Sequence, residues 1–173
     1  MHDRRARLLI LGSFPGRASL RAQRYYAHPR NLFWPIVGAL TGVALEDAPY
    51  ERRLHVLTAH GIALWDVIAR CDRPGSLDSA IRDAQHQTFE PLLAELPALQ
   101  GVAFNGRLAA SREPWFSARG LRTWVLPSTS PANAGVPVAD KHAAWSVLAP
   151  LCRAVDDPVS EVRAQRARRP APD

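Results

Sequence analysis

Four short apolar runs, each bounded by a residue that interrupts strands, constrain the fold more than anything else in this chain. Residues 7–11 (Arg-Leu-Leu-Ile-Leu) stop at Gly12, residues 62–68 follow Gly61, residues 102–104 stop at Asn105-Gly106, and residues 121–126 stop at Pro127. Residues 7–11 read as a buried strand, and the other three runs as further strands. Helical spacing fills the gaps between them. Leu32, Phe33, Ile36, Val37 and Leu40 recur with Gly42 as a stop, residues 50–60 and 88–96 look helical, and residues 139–155 place Trp145, Leu148 and Leu151 on one face. Residues 71–79, with Pro74 and Gly75, read as a loop. Strands alternating with helices predict an α/β fold, a three-layer αβα sandwich around a central, mainly parallel four-stranded sheet. Residues 1–157 are expected to form one domain, and the Arg- and Pro-rich residues 158–173 a disordered tail.

In such sheets ligands bind beyond the carboxyl ends of the strands. Those ends carry Gly12–Gly16, Trp65–Asp66, Asn105–Gly106 and Pro127–Asn133, the least core-like stretches of the sequence. Positive charge points to the class of ligand. The formal net charge is +6, and seven Arg against one acid fall within residues 1–30. Basic groups gathered in this way suit a phosphate-rich partner. The 21 Arg to one Lys also fit a biased composition with an ordinary solvated surface.

Other classes are disfavoured. Two cysteines, Cys71 and Cys152, cannot make a four-thiolate metal site, and the six His lack ligand spacing, so no metal or cofactor is expected. No stretch approaches ~18 apolar residues, and the apolar run at Leu8–Leu11 is too short for a signal peptide, so a cytoplasmic protein with no membrane span is expected.

Three segments can carry chemistry. Gly12-Ser13-Phe14-Pro15-Gly16 makes a tight turn whose backbone N–H groups can approach a planar or anionic ligand, or serves as an ordinary strand-to-helix loop. The Gly-x-Ser-x-Gly spacing of a nucleophilic serine is absent. In Tyr25–Trp34 the tandem aromatics offer a stacking face, and Arg17, Arg21, Arg24 and Arg30 surround them without an acid. Asn31 reads as an N-cap, or as an amide that holds a water beside a pocket. In Pro127–Asn133, Ser128, Thr129 and Ser130 lie between prolines, where their hydroxyls donate to phosphate or cap a surface turn.

Taken together these segments resemble the uracil-DNA glycosylase superfamily, and most closely its hypoxanthine-DNA (DNA-deoxyinosine) glycosylase branch. The signatures are Gly12–Gly16, Tyr25–Trp34, Ala63–Ile81 with its Asp-Arg-Pro-Gly-Ser run, Phe104-Asn105-Gly106, and Leu126–Ala134, in order across residues 8–155. The resemblance implies a monomeric enzyme acting on double-stranded DNA that contains a deaminated base. It extrudes the damaged nucleotide and hydrolyses its N-glycosidic bond without a metal. Ser13, Phe14 and Pro15 then form the first active-site loop, with backbone N–H groups near Ser13 and Phe14 facing the departing base. Tyr26 matches the aromatic that stacks on the base. Ser128, Thr129, Ser130 and Pro131 match the phosphate-pinching second loop, and Ala132 and Asn133 fall where relatives place the duplex wedge. Arg17 and Arg30 are candidate DNA contacts.

Two departures from the superfamily shape the expectation. Phe14 stands where many relatives orient the attacking water with Asp or Asn, which leaves Asn31 as the expected catalytic residue. Leu126 stands where uracil-preferring relatives often have His. Asp66 and Asn105 are candidate base contacts, or respectively a local backbone cap and a turn residue. Lys141, the one lysine, is expected to open the last helix, so no pocket amine is available for a Schiff base and no lyase activity is expected. The competing readings are a uracil or mismatch glycosylase of the same fold, a catalytically silent damaged-DNA-binding module, and a small-molecule enzyme using Ser13.

Overall fold

The computed structural model describes residues 1–154. Strands β1 (Leu8–Gly12), β2 (Ile62–Asp66), β5 (Gly101–Asn105) and β6 (Arg122–Leu126) form one sheet in the order β2-β1-β5-β6. Every pairing in it is parallel, so all four carboxyl ends emerge on the same edge. The central β1 is fully buried along its length.

Alternation along β1 shows the three layers. Leu8 and Ile10 face a core closed by α2 (Phe33–Thr41), α3 (Tyr50–Ala59) and α6 (Val138–Trp145), with Phe33, Val37, Leu57 and Trp145 beneath them. Leu9 and Leu11 face a second core closed by α4 (Glu90–Ala94) and α5 (Glu113–Ser117), where Phe89, Leu92 and Phe116 pack. Each sheet face is thus covered by helices, as parallel strands with continuous apolar runs require. The remaining helix, α1 (Arg17–Ala22), lies at the mouth of the strand ends and buries no residue.

Three boundaries differ from expectation. The run 62–68 is not one strand. It breaks at Val67, whose N–H turns to the Gly12 carbonyl, and Ile68 opens β3 (Ile68–Asp72). The segment 71–79 is not simply a loop, because β3 pairs antiparallel with β4 (Arg82–His86) in a separate hairpin linked by a short 3-10 turn at Asp78–Ala80. β4 is exposed throughout, so it carries no apolar alternation to read. The last helix is α-helical only to Trp145. Residues Ser146–Leu151 tighten into a 3-10 helix that contains Pro150, which has no N–H for an α-helical bond. Residues 158–173 lie outside the described residues. No helix among the described residues is long and apolar enough to cross a membrane.

Candidate active site

The four strand ends surround a cleft of about 990 Å³. It is lined by Gly12–Arg17 after β1, Asp66 at the end of β2, Asn105–Leu108 after β5, and Leu126–Asn133 after β6. Tyr25, Tyr26, His28 and Asn31 close it from the segment before α2, and Ser76, Asp78 and Ser79 from the hairpin.

Tyr26 forms one wall. Its ring stacks on Phe33 at 3.7 Å between centroids and 15° between planes, so one aromatic face is supported by the core, and Tyr26 lines the cleft. The backbone at Tyr26 is left-handed (φ 52°), an uncommon conformation for a bulky residue that is held here by packing. Burial is the main cause that raises its phenol above the ordinary range, so the hydroxyl stays neutral, with the neighbouring Asn105 side chain opposing the rise.

Asp66 lies beside that hydroxyl. The close approach depends on Gly12, because a Cβ there would stand 2.5 Å from the Asp66 Oδ1 and 3.5 Å from the Tyr26 hydroxyl. Burial pushes the Asp66 carboxyl up to about 6. A hydrogen bond from Tyr25, the Met1 amino group and Arg73 oppose that rise. A folded-state value raised above the unfolded ~3.9 means that the ionised form is the disfavoured one. Stability linked to Asp66 is therefore complete below about pH 4 and is lost as pH rises through about 6. Asp66→Asn should accordingly be more stable than the parent by about 1–2 kcal/mol at neutral pH, part of the cost being screened by cleft water. Urea unfolding at pH 7.5 and 4.5 checks this: the gap should close at the lower pH, and a constant gap would contradict it.

Asn31 lies one residue before the N-cap position of α2, which is Leu32, and not at the cap itself. Its Oδ1 nevertheless accepts the Phe33 N–H at 3.0 Å, and its own N–H donates to the His28 carbonyl at 2.9 Å. The carboxamide is fixed at the cleft wall by a capping bond that uses one lone pair of Oδ1. The second lone pair and the NH₂ group remain to hold a water.

The second loop differs from the expectation at Thr129. Its side chain is fully buried and accepts from the Asn105 Nδ2 at 2.9 Å, while its N–H donates to the Asn105 Oδ1 at 2.8 Å. Thr129 is therefore a buried anchor of this loop, braced by one N–H and one Oδ1 lone pair of Asn105, whose carboxamide also lines the cleft. The Thr129 carbonyl also accepts the Leu32 N–H, which ties the second loop to the Asn31 segment. Gly106, at φ 102°, lets the chain turn under Ser128, where a Cβ would come within 3.0 Å of the serine Cβ.

Ser128 and Ser130 form two successive turns. The Ser128 Oγ accepts the Ser130 N–H, and the Ser130 Oγ accepts the Ala132 N–H, which leaves both hydroxyl protons to donate outward. Pro131 lines the cleft behind them and Ala132 is exposed. Asn133 is turned back: its Nδ2 donates to the Ser128 carbonyl, and its own carbonyl accepts Lys141 Nζ at 2.6 Å. Lys141 lies in the first turns of α6 and is buried, with its ammonium value lowered by that burial.

Sequence reasoning missed the contribution of the hairpin. Ser13 Oγ donates to Asp78 at 2.8 Å, Ser76 Oγ accepts the Arg17 N–H at 3.1 Å, and Arg73 donates to the Phe14 and Pro15 carbonyls. The Asp-Arg-Pro-Gly-Ser run was the one available signal. Of the candidate DNA-contact arginines, Arg17 lines the cleft, whereas Arg30 is exposed outside it. Arg107 also lines it. Cys71 and Cys152 are free thiols. Among the described residues, no group of three His, Cys, Asp or Glu could hold a metal.

Comparison with known proteins agrees with this geometry. Residues 1–149 match the uracil DNA glycosylase superfamily. A protein of Methanosarcina acetivorans named hypoxanthine DNA glycosylase is 44% identical over 131 residues, 76% of this chain and 83% of the relative. Its counterpart in Methanosarcina barkeri, of the same name, is 40% identical over the same shares. A solution NMR structure from M. acetivorans, provisionally named a uracil DNA glycosylase, superposes with a TM-score of 0.78 at 39% identity, covering 86% of this chain and 91% of that one. The chain thus belongs to the uracil DNA glycosylase superfamily.

Proposed function

We propose that this protein is a DNA-repair glycosylase that flips deoxyinosine out of double-stranded DNA and hydrolyses its N-glycosidic bond, leaving an abasic site. The observation that carries the reading is the placement of Asn31, fixed by its bond to Phe33 at a cleft where its own segment supplies the aromatic Tyr26 and the end of β2 supplies the Asp66 carboxyl. The relatives named hypoxanthine DNA glycosylase support the choice of base.

In this reading the extruded purine stacks on Tyr26, extending the Phe33–Tyr26 stack. Asp66 faces its Watson–Crick edge. Hypoxanthine presents an N–H beside a carbonyl, and a carboxyl accepts from the first and, when protonated, donates to the second. Adenine has a bare acceptor in place of that N–H, which an ionised carboxylate cannot bond, so Asp66 in its ionised form favours the deaminated base. Asn31 holds the water. Its oxygen bonds to the sugar C1′ as the C1′–N9 bond breaks, the bonding pair leaves with the base, and the proton released by the water goes to that base. An amide is no strong base, so most of the acceleration comes from stabilising the departing base and the cationic sugar. Ser128, Ser130, Arg17 and Arg107 hold the flanking phosphates. Lys141 is committed to the Asn133 carbonyl, so the enzyme is monofunctional. It acts as a monomer in the cytoplasm and needs no cofactor.

A panel of duplexes carrying a single inosine, uracil, xanthine or ethenocytosine tests this. Uracil shows the same N–H/carbonyl edge but has a smaller ring, and Leu126 offers it only apolar contact. Inosine is expected to be cut fastest. Uracil cut far faster would make the protein a uracil glycosylase, and binding without excision of any base would make it a silent damage reader.

A further inference from the structure

We infer that Arg73 is a positioning residue for the departing base, its guanidinium turning the Pro15–Gly16 peptide so that the Gly16 N–H faces the cleft. The inference rests on the glycosylase reading above. Arg73 follows β3 and sits behind the first loop, outside the cleft lining. Nη1 donates to the Phe14 carbonyl at 3.4 Å and Nη2 to the Pro15 carbonyl, and the guanidinium carbon lies 5.0 Å from the centre of the Phe14 ring. A planar fork of donors that holds two consecutive carbonyls fixes the orientation of both peptide planes.

Peptide geometry then sets where the donors go. The bond between Pro15 and Gly16 is trans, and across a trans peptide the C=O and the N–H point in opposite directions. With the Pro15 carbonyl turned to Arg73, the Gly16 N–H points away from it, to the side of the loop that lines the cleft. The preceding peptide has no N–H, because its nitrogen is that of Pro15. The following N–H, of Arg17, is already bonded to Ser76 Oγ. Gly16 is therefore the backbone donor that this stretch offers to a ligand.

A purine leaving with the bonding pair carries negative charge on its ring nitrogens and carbonyl oxygen, and a fixed N–H stabilises that charge without reorganisation at the moment of reaction. The arrangement carries a cost consistent with a role beyond stability: Arg73 Nε is buried with no hydrogen-bond partner among the described residues.

Single-turnover excision from an inosine duplex tests this, together with duplex affinity and thermal melting. Arg73→Ala should excise about 10²-fold more slowly, the loss typical of one misplaced donor, with duplex affinity unchanged. Added guanidinium should restore part of that rate. It should not do so in Arg73→Met, whose side chain fills the vacated space, and equimolar NaCl should restore neither. If Arg73→Ala does not fold, Arg73→Lys, which keeps one donor, is read instead, and an intermediate rate with unchanged affinity supports the inference. A wild-type rate in Arg73→Ala or Arg73→Lys, a loss carried wholly by affinity, or a defect in Arg73→Ala that guanidinium does not relieve overturns it. A parent protein inactive on the same duplex overturns the glycosylase reading instead.

Discussion

Asn31→Ala should excise hypoxanthine at least about 10²-fold more slowly than the parent in single-turnover assays, with duplex binding retained, because a water displaced by about 1 Å already costs that much. The same substitution removes the bond that the Phe33 N–H donates to Oδ1, so it should also destabilise the fold by about 1 kcal/mol. Two roles are therefore mixed in one variant, and Asn31→Ser separates them. Serine satisfies a helix-start N–H about as well as asparagine, so the melting temperature should stay close to that of the parent. Its hydroxyl sits on a shorter side chain with no amide, and it cannot hold the water in the same place. If Asn31 only caps α2, Asn31→Ser will be as active as the parent. If Asn31 positions water, it will be nearly as slow as Asn31→Ala while remaining as stable as the parent. Asn31→Asp keeps both the acceptor and the reach, and should retain more activity than either.

The outline of the cleft could be read from the sequence because strand ends leave local marks. Gly12, Asn105-Gly106 and Pro127 each stop an apolar run, and a parallel sheet brings those stops to one edge. Tyr26 and Asn31 were legible for the same reason, since they lie in one continuous segment before a helix with clear spacing. The remainder of the site is built from contacts that leave no such mark. Ser13 and Asp78 are 65 residues apart, and Arg73 reaches the Phe14 carbonyl across 59. The hairpin that carries Arg73 and Asp78 has an exposed second strand with no periodicity, so only the Asp-Arg-Pro-Gly-Ser run at the end of its first strand marks it. Thr129 shows the limit most clearly. Flanked by two serines that keep hydroxyl protons for an external partner, it looks like a third phosphate donor. Only the pairing of β5 with β6 places it against Asn105, where its hydroxyl is taken by the interior. Lys141 shows the reverse: its burial near the start of α6 follows from its bond to Asn133, not from any apolar pattern.

The Asn105–Thr129 pair also yields the second large effect. Asn105→Ala removes two buried hydrogen bonds and strands the Thr129 N–H and hydroxyl, at a cost of about 2–4 kcal/mol. Because Thr129 also holds the Leu32 N–H through its carbonyl, release of the second loop loosens the Asn31 segment and the phosphate turns together. Three readouts should move at once: a melting temperature lower by roughly 5–10 °C, weaker duplex binding through Ser128 and Ser130, and an excision rate reduced more than either loss alone would give. A residue that reads the base would behave otherwise, with excision and base preference changed while stability and binding to undamaged DNA were kept. The double variant Asn105→Ala with Thr129→Val gives a sharper test. Valine occupies nearly the volume of threonine and removes the stranded hydroxyl, so a structural pair predicts that the double variant recovers part of the stability lost in Asn105→Ala. A base-reading Asn105 predicts no such recovery, since Thr129→Val would then add its own cost to that of the first substitution.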